Sequence, residues 1–109
     1  LRGIAISAGV AKGPVRLVRS TADWARVRAG DILVVPVIDP GMAPLFGMAA
    51  GLIAEMGGTL SHGAIIAREY GLPVLVNVPY ATSLLRENEQ VEIASSTGRI
   101  SRLVSVNPI

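Results

Sequence analysis

The sequence predicts a single α/β domain over residues 1–109, and three observations support this prediction. The length lies within the common domain size of about 100 to 150 residues, so one hydrophobic core is expected. Half of the residues are apolar and only 17% are charged, which excludes a disordered chain because enough apolar surface exists to offset chain entropy. Short β-branched runs bounded by Gly or Pro alternate with short helical patterns, as in layered α/β folds.

The amino-terminal half contains four predicted strands, one short helix and one segment that is a short surface helix or a turn. The run DILVVPVI is continuously apolar and β-branched, which is typical of a central strand buried on both faces, and the following DPGMAP predicts a loop. The other strands are expected in GIAISAG, GPVRLVRS and LIAEM, the short helix in APLFGMAAG, and the short surface helix or turn in TADWARVRAGD.

The carboxyl-terminal half predicts one longer helix, a second short helix and three strands. The segment HGAIIAREYG should form about ten residues of helix, with Gly71 and Pro73 as its stop signals. Strands are expected in PVLVNV, QVEIAS and RISRLVSV, and a short helix in PYATSLLREN. The sum is about seven short strands and three short helices, with hairpin-like strand pairs at both ends of the chain.

Composition and charge argue against several classes of partner. The formal charge of +2 comes from scattered arginines without a basic run, so no nucleic-acid partner is expected. No apolar run approaches the roughly 18 to 20 residues of a membrane helix, so no membrane partner is expected either. The absence of cysteine and of a signal peptide makes a cytoplasmic setting the default. The first residue, Leu1, and the last, Ile109, suggest a domain cut from a longer polypeptide.

His62 is the only histidine of the chain, and its surroundings favour a nucleophilic role. Gly57 and Gly58 lie between a predicted strand and a predicted helix, where main-chain N–H groups can face a ligand. Ser61 is placed to cap the helix, so His62 would occupy the first turn, where free N–H groups and the helix dipole favour an anion. The same positive end disfavours imidazolium and leaves a ring nitrogen lone pair free to attack, so the site suits a histidine that takes and passes on a phosphoryl group.

Other interpretations of these residues are weaker. Ser61 and His62 are adjacent and do not face each other on a helix, which argues against a hydrolytic Ser-His pair. No spacing such as HxxxH supports a metal site, so none is expected. Arg68 and Glu69 lie toward the far end of the helix, where a solvated surface, an ion pair with a loop, or docking to a neighbouring domain is expected. Taken alone, a single histidine could also be purely structural, hydrogen-bonded to a loop carbonyl.

The segment GGTLSHGAIIAREYGLPVLV closely resembles the phosphohistidine signature of the PEP-utilising mobile, or swivelling, domain family. The resemblance covers nearly the whole chain, through GVAKGPVRLV, GDILVVPVIDPGMAPLF and ATSLLRENEQVEIASSTGRI. It implies that His62 is the phosphorylated residue. It further implies a phosphate environment of Gly57, Gly58, Thr59, Ser61 and Gly63, and a supporting or docking role for Arg68 and Glu69.

The resemblance also implies a compact β/β/α swivelling fold and an activity shared between domains. In ATP-driven members an ATP-grasp domain phosphorylates the histidine, leaving AMP and phosphate, and another domain holds the acceptor. No GxxxxGKS-type loop or carboxylate cluster is present here, so ATP and Mg²⁺ are expected in partner domains of the same polypeptide, with no cofactor in this one. The isolated domain is not expected to turn over substrate.

Departures from the family pattern bear on the branch and on regulation. Leu60 stands where dikinases and phosphoenolpyruvate synthases commonly carry a regulatory threonine, while REYGLP and DPGMAPLF look more like the rifampin phosphotransferase branch. Asn77 replaces a usual glycine, a mild change because Asn tolerates left-handed angles. Asn88-Glu89 replaces an Asp-Gly turn and suggests a different hairpin.

Two alternative functions stay open: a carrier like enzyme I that passes phosphate from PEP to a partner protein, and a non-catalytic docking module.

Overall fold

The computed structural model describes residues 1–7, 9–56 and 62–103, with the backbone alone at residues 62 and 64. These residues build a seven-stranded sheet of order β1-β5-β4-β3-β2-β6-β7. The strands β2 to β5 are mutually parallel, whereas β1 is antiparallel to β5 and β6 is antiparallel to both β2 and β7. The bounds are β1 Ile4–Ser7, β2 Val10–Leu17, β3 Ile32–Val35, β4 Gly51–Ala54, β5 Val74–Val76, β6 Gln90–Ala94 and β7 Arg99–Arg102.

Within the described residues, three short α-helices and two 3₁₀-helices connect the strands. The longest is α2, His62–Glu69, which is two residues shorter than predicted and is followed by Gly71 at φ 75°, a left-handed angle that suits glycine. No helix within the described ranges is long and apolar enough to cross a membrane. The others are α1 Ala43–Phe46, α3 Ala81–Leu84 and the 3₁₀-helices Thr21–Arg26 and Pro40–Met42. The predicted α/β class and the tally of strands and helices are thus confirmed.

The sheet separates two hydrophobic cores, and β3 contributes to both. Leu33 and Val35 pack with residues of α1 and α2 on one face. Ile32 and Val34 pack with α3 and the β6–β7 hairpin on the other face. All four side chains are buried, as the continuous apolar run predicted. The strand ends at Val35, before the end of the run, because Pro36 offers no N–H to a neighbouring strand.

The prediction of a strand pair at the amino-terminal end is wrong, whereas the pair at the carboxyl-terminal end is confirmed. β1 does not pair with β2 but covers the edge of β5, with Ile4 opposite Val76. Gly9, at φ 139°, separates the two strands, and β2 crosses to the far side of the parallel strands, where it pairs with β6 and β3. Alternating patterns identify strands, but a strand's partner depends on which sheet edge it covers.

Candidate functional site at the carboxyl edge

The carboxyl ends of the parallel strands β2 to β5 lie at one edge of the sheet, and α2 starts from this edge because it follows β4. We call this the carboxyl edge and define it by the segments that follow the four strands. In open α/β sheets, ligands bind at such an edge. The segments are residues 18–21, 36–42, 55–56 and 77–82.

His62 is the first residue of α2, so its backbone lies in the first turn, as the sequence predicted. The N–H groups of a first helical turn have no partner within the helix and carry the positive end of the dipole. The residues expected around a bound phosphate at this point lie outside the described residues, except for Gly63. They are Gly57, Gly58, Thr59 and Ser61.

Gly63 makes a close backbone contact that sequence reasoning did not identify. It is buried against Ile38, in the loop that follows β3. A Cβ atom at position 63 would overlap the carbonyl oxygen of Ile38 and come within 2.8 Å of its Cγ2 atom. Only glycine therefore fits without displacing one of the two segments, and this contact sets the position of the first turn of α2 relative to β3.

The loop after β3 places its side chains alternately in the core and in solvent. Ile38 and Met42 are buried, whereas Val37 and Asp39 are exposed. Asp39 Oδ1 accepts a hydrogen bond from the backbone N–H of Gly41 at 2.8 Å, which holds the start of the short 3₁₀-helix. The buried side chains of Ile38 and Met42 thus hold the loop against the core, and the exposed carboxylate of Asp39 lies beside α2.

A chain of hydrogen bonds joins three further segments of the edge. Glu55 Oε2 accepts from both the backbone N–H and the hydroxyl of Thr82, at 2.8 and 2.7 Å. The Nη2 group of Arg19 donates to the carbonyl oxygen of Thr82 at 2.8 Å. These residues follow β4, β5 and β2, so the contacts brace the end of β4 from which the histidine segment departs. No group of three His, Cys, Asp or Glu side chains suited to a metal occurs among the described residues.

A pocket of about 430 Å³ opens between the segments that follow β2 and β3. Ile38, which contacts Gly63 on α2, is also part of its wall. The pocket is therefore next to the first turn of the helix. Its lining consists of Val18, Arg19, Ser20, Thr21, Trp24, Pro36, Val37, Ile38, Asp39, Pro40 and Met42.

Arg68 and Glu69 lie in the last turn of α2, away from the first turn, and both are exposed. Among the described residues neither forms an ion pair, so the structure does not bring them to His62. The helix end is instead held by Tyr70, whose ring meets the ring of Phe46 edge to face at a centroid distance of 5.9 Å. In the sequence, only the glycine-rich histidine motif indicated this edge. Ile38, which contacts Gly63, and the bonded pair Glu55 and Thr82 carry no such motif.

Comparison with known proteins identifies the family. The family described as "PEP-utilising enzyme, mobile domain" matches residues 27–98. The chain belongs to this family. The mobile domain is 46% identical over 103 residues to rifampicin phosphotransferase of a Streptomyces species, which is 94% of this chain and 12% of that protein. It is 36% identical over 100 residues to a probable phosphoenolpyruvate synthase of Methanothermobacter thermautotrophicus, which is 92% of this chain and 15% of that protein.

A solved structure supports the fold of this mobile domain. The solution structure of an enzyme I protein superposes with a TM-score of 0.58 at 22% identity, and the match covers 69% of this chain and 31% of that one. At this identity the likeness concerns the fold alone. The chain spans about one eighth of the length of the rifampicin phosphotransferases it matches. It is thus the mobile domain of phosphoenolpyruvate synthase-like or rifampicin phosphotransferase-like enzymes, as the sequence resemblance predicted.

Proposed function

We propose that His62 of this mobile domain is a phosphocarrier that accepts a phosphoryl group at one active site and delivers it at another. One observation carries the proposal: the only histidine of the chain is the first residue of α2, at the carboxyl edge. An anion on residue 62 would meet the positive end of the helix dipole and the free N–H groups of the first turn. Membership of the family agrees with this role.

The chemistry requires two displacements at phosphorus that involve His62; with ATP as the donor, water must also cleave one phosphoanhydride bond, so that AMP and phosphate are both released. In the first, a neutral ring nitrogen of His62 attacks the phosphorus atom, an N–P bond forms, and the bond from phosphorus to the donor oxygen breaks. In the second, a hydroxyl or enolate oxygen of the acceptor attacks, an O–P bond forms and the N–P bond breaks. The second ring nitrogen keeps its proton throughout, so cleavage of the N–P bond regenerates neutral imidazole, and a hydroxyl acceptor releases its proton to a base or to solvent. His62 ends the cycle as it began.

The remaining sites of the reaction would lie on other domains of a longer, cytoplasmic enzyme. ATP with Mg²⁺, bound by an ATP-grasp domain, is the proposed donor, and the acceptor is held by a separate domain. Because the most similar relatives reported above include rifampicin phosphotransferase, rifampicin is the first acceptor to test. Within this domain, we assign the phosphate surroundings to Gly57, Gly58, Thr59, Ser61 and Gly63, and docking to the exposed Arg68 and Glu69.

The decisive experiment measures phosphate on the full-length protein after incubation with ATP and Mg²⁺, by intact mass and by acid and base stability. The expected result is one acid-labile, base-stable phosphate that is lost in both His62→Ala and His62→Gln. The glutamine variant keeps a polar side chain at the helix start, and circular dichroism of both variants controls for folding. Phosphate taken from PEP but not from ATP would replace the proposal with an enzyme I-like carrier. No phosphate from either donor, with a folded ATP-grasp domain, would favour a docking module.

A further inference from the structure

Tyr80, in the segment that follows β5, has two features that cost free energy. Among the described residues it is the most exposed of the large hydrophobic side chains, at 73%. Its backbone also has a left-handed conformation, with φ 60° and ψ 20°. For a bulky residue these angles are unusual, because the Cβ atom crowds the following carbonyl oxygen. The fold therefore holds an aromatic ring in solvent on a strained backbone.

The backbone of Tyr80 is fixed from both sides. Val78 is fully buried, and its N–H donates a hydrogen bond to the carbonyl oxygen of Ala54, at the end of β4, at 3.1 Å. The carbonyl oxygen of Tyr80 accepts from two N–H groups of α3, at 2.9 and 2.8 Å. Thr82 is held by its two hydrogen bonds to Glu55. Strain that the surroundings impose in this way is typical of functional sites.

Exposed hydrophobic side chains follow each of three neighbouring strands at the carboxyl edge. Tyr80 follows β5, Met56 follows β4 with 64% of its surface exposed, and Val37 follows β3 with 52% exposed. We call these three side chains the apolar rim. Because α2 comes after β4, the middle strand of the three, the apolar rim borders the strand end from which the chain continues to His62.

The usual size of a protein interface relates the apolar rim to the start of α2. Neighbouring strands lie about 4.8 Å apart, so the ends of the four parallel strands span roughly 15 Å. A standard interface covers about 800 Å² of each partner, which corresponds to a disc roughly 30 Å across. A domain that docks over the start of α2 would therefore also cover the apolar rim. Aromatic side chains buried in such contacts contribute much of the binding energy.

We propose that Tyr80 is the anchor by which this domain docks on the domain that binds the phosphoryl donor. The inference rests on the proposed function of His62. A further domain is available in the relatives, because this chain spans only 12% of the rifampicin phosphotransferase of Streptomyces. The partner surface is expected to be an apolar depression that accepts an aromatic ring.

The chemistry of the donor favours its domain as the partner. A nucleotide reaches His62 through its polyphosphate, which contributes no apolar surface, so side chains of the two domains must supply the contact that holds them together. An organic acceptor can supply apolar surface of its own. The fixed backbone of Tyr80 lowers the entropic cost of docking, because the segment that carries the ring is ordered before contact. The apolar rim would act in addition to Arg68 and Glu69, at the other end of α2.

The test measures single-turnover phosphorylation of His62 by ATP and Mg²⁺ in the full-length enzyme. Tyr80→Asn removes the ring and introduces a residue that tolerates left-handed angles. We expect the rate at saturating ATP to fall at least about tenfold, with KM for ATP within about twofold, because the nucleotide binds to another domain. The urea midpoint should equal or exceed that of the parent, since strain is relieved. Tyr80→Phe keeps the ring and should restore the rate to within about twofold of the parent.

Met56→Ala and Val10→Ala form a matched pair of further variants. Both remove part of a hydrophobic side chain that is 64% exposed. Met56 belongs to the apolar rim, whereas Val10 is the first residue of β2, at the opposite end of the parallel strands. Met56→Ala should slow phosphorylation by a smaller factor than Tyr80→Asn, and Val10→Ala should leave it unchanged.

Several results would overturn the inference. Normal phosphorylation of Tyr80→Asn would exclude an anchor for the donor domain, and slower discharge to rifampicin in that variant would assign the ring to the acceptor domain instead. A lower urea midpoint of Tyr80→Asn would mean that the ring stabilises the fold. Equal loss in Tyr80→Phe, or in Val10→Ala, would contradict a docking role for the ring. A parent enzyme without phosphate on His62 would refute the proposed function itself, before any variant is compared.

Discussion

Two arginines three residues apart, Arg16 and Arg19, lie in contrasting surroundings. Arg16, on β2, is 9% exposed, and its Nε group lies 2.9 Å from the carboxylate of Asp31, which is itself 1% exposed. Its Nη1 group lies 3.2 Å from Glu87. Arg19, just past the end of β2, is exposed and donates a hydrogen bond to a backbone carbonyl at the carboxyl edge. We call Arg16, Asp31, Glu87 and Arg26, which also pairs with Glu87, the ion cluster.

The contrast shows how the domain divides its polar groups between stability and function. In the ion cluster, the charges neutralise one another, and both carboxylates also accept hydrogen bonds from backbone N–H groups. Asp31 accepts from the N–H of Arg28, and Glu87 accepts from the N–H of Leu17. At the carboxyl edge, by contrast, polar and apolar side chains remain exposed around the start of α2. Fully paired charges hold strands together, whereas the exposed groups at the carboxyl edge remain able to bind other groups.

The largest effect on stability is expected from Asp31→Ala, which breaks the ion cluster. Removing one partner of a buried ion pair leaves an uncompensated charge and typically costs about 3 to 5 kcal/mol. Because Arg16 keeps Glu87 as a second partner, we expect a loss near the lower limit, about 3 kcal/mol. Urea unfolding of the variant and of the parent chain measures the difference.

Lys12→Ala is the matched control for that measurement. The Lys12 amine lies 3.5 Å from the carboxylate of Glu92, in a pair on an exposed part of β2 and β6. Exposed pairs contribute at most about 1 kcal/mol, so this variant should unfold close to the parent. If Asp31→Ala were as mild as Lys12→Ala, the ion cluster would not be the stabilising region and the contrast between the two arginines would fail.

A smaller loss of stability, but a specific loss of function, is expected at the carboxyl edge from Gly63→Ala. The added Cβ atom overlaps the Ile38 carbonyl oxygen, and overpacking of this kind costs about 1 to 3 kcal/mol. Relief of the overlap must move the start of α2, and a displacement of about 1 Å can lower the rate of a positioned reaction by roughly 10²-fold. The measurements are urea unfolding and the rate of His62 phosphorylation in the full-length enzyme.

Gly47→Ala is the matched control for this substitution. Gly47 has φ −68°, and the nearest atom to a Cβ built there is 3.9 Å away, on Tyr70, so alanine fits. We expect its stability and phosphorylation rate to equal those of the parent or exceed them slightly. Normal phosphorylation of Gly63→Ala would show that the contact with Ile38 does not position the nucleophile.

The sequence predicted the fold well where local patterns determine the structure. The β-branched run of β3 identified a strand buried on both faces, and Asn77 adopts φ 57°, the left-handed angle expected when Asn replaces glycine. Asn88 also adopts a left-handed angle, φ 66°, in the turn before β6. The pairing of β1 with β5 was missed, because a short alternating strand carries no signal for which edge it will cover.

The candidate site was predictable only in part, for a similar reason. The glycine pair, the serine and His62 lie within six residues of sequence, so one motif was enough to predict a histidine at a helix start, and its role as a nucleophile stays a prediction. The contact of Gly63 with Ile38 and the bonds of Glu55 with Thr82 join residues separated by about 25 positions, and these depend on strand order. The pocket has no motif at all, since its lining comes from two segments that meet only because β2 and β3 are parallel neighbours.

The smallest expected effect concerns Asp23, which connects the ion cluster with the carboxyl edge. Its carboxylate accepts hydrogen bonds from the Arg26 side chain and from the backbone N–H of Arg19, each at 2.8 Å, and these hold the pKa of Asp23 below its usual range. A pKa lowered on folding contributes stability above the unfolded value of about 3.9, and that contribution is lost as the pH falls through the folded pKa.

Asp23→Asn should therefore be slightly less stable than the parent chain at pH 7, and the difference should vanish once the carboxyl of the parent is protonated in both states. Urea midpoints measured between neutral and strongly acidic pH test this, with Lys12→Ala as a variant whose effect does not depend on this carboxyl. Because the groups around Asp23 are accessible to solvent, the effect should also shrink with added salt. A difference that persisted unchanged at the lowest pH would mean that the side chain of Asp23 acts by its shape and hydrogen bonds, and that its charge does not couple the two regions.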